Sequence, residues 1–65
     1  MKIVLNGQPR EVSGTNVTAL LEELGYGSAR VAAAVNGAFV PASLRPTTML
    51  LEGDRLEVVA PMQGG

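Results

Sequence analysis

Apolar and polar positions alternate along this chain with two different periods, and the switches between them mark its elements. Residues 2–5 (KIVL) are β-rich and end on Asn6-Gly7. That dipeptide favours a type I′ hairpin turn, which needs positive φ at both central residues. Residues 8–12 supply the return strand. Pro9 has no N–H, so this strand belongs at a sheet edge or begins at Pro9. Residues 13–16 are a loop in which Thr15 or Asn16 can cap a helix. Val17, Leu20, Leu21 and Leu24 then fall at i, i+3, i+4 and i+7, one apolar stripe of an amphipathic helix. Glu22 and Glu23 take the solvated face, and Gly25 stands where a left-handed C′ residue is expected. So short a helix holds only by packing its stripe on a sheet.

Residues 26–30 read as a loop, and residues 31–35 as a third strand built from small side chains. Asn36-Gly37 repeats the hairpin signal, and Phe39-Val40 begins the answering strand before Pro41. Residues 42–49 are irregular, with room for a short helical turn and with Leu44 expected to drop into the core. Leu50-Leu51 reads as a brief strand and Glu52-Gly53-Asp54 as a turn. Residues 55–58 alternate polar and apolar, the mark of a half-buried last strand. The order is hairpin, helix, hairpin, link, strand. The helix must cover one sheet face, since only then do its stripe and the apolar side of the strands both leave water. The result is an α+β domain with one main helix across a mixed, four- to five-stranded sheet. The β-grasp, or ubiquitin-like, architecture has this order and places its last strand centrally, beside the first. Residues 1–60 form the domain, and residues 61–65 a flexible tail.

Composition then narrows the chemistry. The 65 residues include no cysteine and no histidine. Thiolate nucleophiles, thiolate metal sites and disulfides are therefore excluded, as is the commonest general base and metal ligand. Five Lys and Arg against six Asp and Glu leave a net charge of −1, and the aromatics are one Tyr and one Phe. Neither the electrostatic footprint of a nucleic-acid binder nor a stacking platform for bases can be built from these. The longest fully apolar run, residues 31–35, is far too short to cross a bilayer. The start reads as a strand rather than a signal peptide. A cytoplasmic protein with no catalytic residues and no metal site is expected.

What remains is the end, "PMQGG". Pro61 tends to end a sheet ladder. Met62, Gln63, Gly64 and Gly65 then span at most about 13–14 Å when extended. Glycine lets backbone approach another surface with no Cβ in the way, so the tail can thread a narrow channel. The chemistry open to a terminal carboxylate is acyl activation. It is ionised at neutral pH and a poor electrophile, with an ordinary pKa of about 3.3–3.7. A partner must convert it to a mixed anhydride with AMP, using ATP, before a nucleophile attacks the carbonyl. Sulfide or a persulfide then gives a thiocarboxylate, and an amine gives an amide. Two closing glycines arise by composition alone in about one chain in 200, and frayed termini are common. The element order ahead of them gives them their weight.

The segments "LNG" at 5–7, "VTALLEELG" at 17–25, "VAAAVNGAFVP" at 31–41, "LEGDRLEVV" at 51–59 and "GG" at 64–65 resemble the ThiS family of sulfur carriers in thiamin biosynthesis. The resemblance covers nearly the whole chain and is weakest over residues 42–50. It implies that Gly65 is the residue adenylated and then converted to a thiocarboxylate. The implied partners are a ThiF-type adenylyltransferase, which uses MgATP, and a ThiG-type thiazole synthase, which takes the sulfur. The carrier itself binds no cofactor and, when free, is expected to be a monomer. The family often has arginine directly after the "VP" pair. Here Ala42 stands there and Arg45 follows three residues later, which alters or moves any partner contact made by that arginine.

Other readings stay open beside this one. A carrier for molybdopterin synthesis shares the fold and the tail, and a non-catalytic ubiquitin-like module could dock a partner through its sheet with an idle tail. Glu52 and Asp54 either form an acidic patch for the activating enzyme or belong to turn geometry, in which Gly53 supplies positive φ and Asp54 bonds its own backbone; the turn is favoured. Phe39 is expected as core filler, with an interface anchor as the alternative. Met62, at the root of the tail, is an adaptable contact for partner enzymes. Glu22 and Glu23, adjacent on a helix, point apart and are no acid/base pair.

Overall fold

A computed structural model describes residues 1–27 and 30–60. Two hairpins, one helix and a final strand assemble in the expected order. Strands β1 (Lys2–Leu5) and β2 (Gln8–Glu11) are followed by helix α1 (Val17–Glu23). Strands β3 (Ala32–Val35) and β4 (Ala38–Val40), a 3₁₀ helix (Ala42–Thr47) and β5 (Arg55–Val59) come next. The strands form one mixed sheet in the order β2-β1-β5-β3-β4. β5 is central, parallel to β1 and antiparallel to β3. β2 is an edge strand, so the N–H that Pro9 lacks is missing where no neighbour needs it.

Both hairpins turn as their Asn-Gly pairs dictate. Asn6 and Gly7 have φ of 48° and 84°, and Asn36 and Gly37 have 50° and 85°. These are type I′ values, whose twist matches that of the flanking strands.

The helix is defined at both ends. The Asn16 side chain accepts a hydrogen bond from the Ala19 N–H at 2.8 Å, so Asn16 is the N-cap and Thr15 is not. At the other end Gly25, at φ 92°, is the left-handed C′ residue. Its N–H donates to the Glu22 carbonyl and the Tyr26 N–H to the Leu21 carbonyl, which closes a Schellman motif. Tyr26 packs against the core just beyond. Val17, Leu20 and Leu21 bury the stripe against Ile3, Leu5, Ala33, Val40, Leu56 and Val58 in one cluster.

Three expectations about the elements need correction, and a fourth, on Phe39, follows with the open sheet face. Glu23 is more than a solvated helix residue. Its carboxylate accepts from the Ser13 N–H at 2.8 and 3.0 Å and from the Gly14 N–H at 2.8 Å, tying the end of the helix to the loop before it. Leu50-Leu51 is no strand. The Leu50 N–H donates to the Thr15 carbonyl and the Val17 N–H to the Thr48 carbonyl around a single Asn16–Met49 bridge, so the segment pairs with the helix entry and not with the sheet. Leu44 is 51% exposed. In the 3₁₀ helix it is Arg45 that turns inward, its guanidinium Nη2 donating to the Val31 carbonyl.

Candidate functional site

β5 leads to the tail, and its two ends are held by the two hairpin asparagines. At its start the Asn36 N–H donates to the Arg55 carbonyl, and the Asn36 Oδ1 accepts from the Arg55 N–H at 2.9 Å. The Asn36 amide also donates to Asp54 at 3.2 Å. At the far end β1 has already turned away. There the Asn6 Oδ1 accepts from the Val58 N–H at 2.8 Å, and the Asn6 Nδ2 donates to the Val58 carbonyl at 3.2 Å. The sequence offered these asparagines only as turn formers. Nothing local announces that their side chains reach a strand far along the chain.

α1 covers one face of the sheet, and the other lies open. Register places Phe39, Ala34 and Glu57 in one row across that open face, and Ala32 beside Val59 in the next. Phe39 is 67% exposed and Val59 63%. Phe39 is therefore not core filler, because β4 turns Val40 inward and Phe39 outward. Period-two reading of β5 could have found Val59, the apolar member of an outward series that also holds Arg55 and Glu57.

Asp54 closes the turn, and Glu52 reaches from it to the start of β1. Gly53 has φ 86°. The Asp54 Oδ2 accepts from the Leu51 N–H at 2.8 Å, and both Glu52 oxygens lie 3.2 Å from the Lys2 N–H. The Leu51 N–H, and after it the Asn36 amide, hold the Asp54 carboxyl below its ordinary value. Ala42 is exposed, and Arg45 is half-buried and bonded to Val31, so Arg45 faces the fold and does not stand in for an arginine at the start of the 3₁₀ helix. Met62, Gln63, Gly64 and Gly65 lie outside the described residues. No group of three or more acidic, His or Cys side chains that could hold a metal occurs among the described residues. No helix there is long and apolar enough to cross a membrane.

A five-stranded mixed sheet with the last strand central and one helix across it is the ubiquitin-like β-grasp. Two solved structures of a thiamine biosynthesis protein from Geobacter metallireducens share it. The crystal structure of that protein, ThiS, is 33% identical, with a TM-score of 0.85 and complete coverage of both chains. The solution structure is 32% identical, with a TM-score of 0.81, over all of this chain and 88% of that one. The ThiS family model matches residues 3–65, and the chain belongs to that family. The sulfur carrier protein ThiS of Thermus thermophilus is 44% identical over 62 residues, 94% of this chain and 95% of that protein. A thiazole synthase of Paramagnetospirillum magneticum is 44% identical over 66 residues. The match takes in all of this chain but only 20% of that longer protein.

Proposed function

We propose that this protein carries sulfur as a C-terminal thiocarboxylate for thiazole formation in thiamin biosynthesis. The observation that carries the reading is the family match, which runs to Gly65 and so includes the Gly-Gly pair. A Gly65 carboxylate oxygen attacks the α-phosphorus of ATP on a ThiF-type adenylyltransferase. The new P–O bond forms as the bond to pyrophosphate breaks, and the product is an acyl adenylate. Hydrosulfide then attacks the carbonyl carbon, AMP departs as the C–O bond breaks, and the thioacid gives its proton to water to leave a thiocarboxylate. MgATP belongs to the partner. This chain supplies only the acyl group and the body by which it is held, as befits a sequence without His or Cys.

Thiazole synthase is the proposed acceptor of the sulfur. The similarity of this whole chain to one-fifth of a thiazole synthase supports that acceptor over the molybdopterin pathway, since it places a like sequence within one polypeptide of that name. Phe39 and Val59 on the open face are the proposed anchors for partner enzymes, exposed apolar side chains on the side of the sheet away from the helix. Met62 and Gln63 link that body to Gly64 and Gly65, which enter the activating site.

The test is reconstitution with a ThiF-type enzyme, MgATP and sulfide. The full chain is expected to acquire sulfur at its terminus, and a chain lacking Gly65 to acquire none. Equal sulfur uptake by both would reject the carrier reading.

A further inference from the structure

Asn6 does more for β5 than its turn requires. A type I′ turn asks only that the residue tolerate positive φ, which Gly or Asp would also do. Yet the Asn6 amide reaches across to Val58 and makes both bonds that a neighbouring strand would make, one accepted at 2.8 Å and one donated at 3.2 Å. β1 pairs with β5 only at Val4↔Arg55 and Leu5↔Leu56, with the Asn6 N–H donating to the Leu56 carbonyl. Beyond that point the β1 side of β5 has no further strand residue. On the other side β3 continues to Ala32↔Val59. A primary amide carries one donor group and one acceptor, as a peptide unit does, so the side chain extends the parallel ladder past the end of its own strand.

We infer that Asn6 is a positioning residue for acyl activation at Gly65, the side-chain clamp that fixes the line along which β5 hands over to the tail. The inference rests on the carrier reading above. Docking by the sheet face sets how tightly the body binds, and the exit direction at Val58 sets how often a docked body presents its terminus. Loss of the clamp therefore lowers kcat for adenylation and leaves KM in place.

Asn36 supplies the internal control. It occupies the same turn position, with φ 50° against 48°, and its side chain also clamps β5, but at Arg55, the end away from the tail. Asn6→Gly and Asn36→Gly each keep a turn-compatible residue and remove one clamp. The experiment measures carrier-dependent pyrophosphate release from MgATP by a ThiF-type enzyme, with sulfide present to discharge the acyl adenylate and the carrier varied, well below the melting temperature of every variant. Amide exchange at Val58 and Arg55 reports which clamp has opened.

N6G is expected to lower kcat about fivefold, the factor that one hydrogen bond of ordinary net strength commands, with KM unchanged. N36G is expected to lose stability with wild-type kcat and KM. Asn6→Asp keeps the acceptor for the Val58 N–H and should recover part of the lost kcat. If N6G and N36G lower stability alike and neither changes kcat, Asn6 is only structural and the inference is overturned. If the wild-type chain elicits no pyrophosphate release, the carrier reading fails first and takes the inference with it.

Discussion

The Glu23 carboxylate shows how much a single exposed side chain can do in this domain. Three short contacts to the N–H groups of Ser13 and Gly14 fasten the loop before α1 to its last turn. The Gly14 and then the Ser13 N–H hold the carboxyl below its ordinary value of 4.5. A folded-state value below the unfolded one means stabilisation that is fully present above the unfolded value and lost as pH falls through the folded one. Asp54, lowered from 3.8 by the Leu51 N–H and then by Asn36, follows the same sign. Urea midpoints of the wild type should therefore fall between about pH 5 and pH 3. Glu23→Gln should fall less over that window, because its neutral side chain has no charge to lose; an equal fall would separate Glu23 from the acid transition. Helical period placed Glu23 on the wet face and was right about its exposure. It could not show that residues 13 and 14 come back within hydrogen-bond reach, because that proximity belongs to the fold and not to the helix. The reach of Asn6 and Asn36 was hidden for the same reason.

At the scale of elements, legibility followed signal strength. The strands flanking each Asn-Gly pair were plain in the sequence, since turn chemistry and alternation agree there. α1 was as plain, with its stripe, its cap candidate and Gly25 all in place. Gly25→Ala tests that last assignment. At φ 92° an added Cβ strains the backbone although it meets no other atom within 4 Å. A loss of about 1–2 kcal/mol is expected, seen as a melting temperature lower by roughly 4–16 °C in a domain of this size. An unchanged melting temperature would mean that the motif does not set the end of the helix. Residues 42–51 were the least legible. Their apolar residues have no sustained period, so nothing in the pattern says that Arg45 turns in while Leu44 and Met49 stay out. Leu50 is buried as a strand residue would be, but β5 already lies between β1 and β3, and Leu50 pairs instead with the helix entry.

Taken whole, the molecule is a sheet with one face sealed and one face free. Among the described residues, eleven apolar side chains from α1, the strands and the segments beside them close the sealed face. The free face carries Phe39 and Val59 with Ala32 and Ala34 between them, which is where the body is proposed to meet its partners. Phe39→Ala should change folding stability by no more than about 0.5 kcal/mol, as for an ordinary surface position. It should raise the KM for the carrier in the adenylation assay. A large loss of stability with unchanged KM would return Phe39 to the core role first expected of it.

The most direct measurement is intact mass of the protein purified from cells that are making thiamin. A share of the chains should carry one sulfur in place of one oxygen, with fragmentation mapping the exchange to Gly65. Chains that hold only the ordinary carboxylate, in such cells and also after incubation with a ThiF-type enzyme, MgATP and sulfide, would contradict the account.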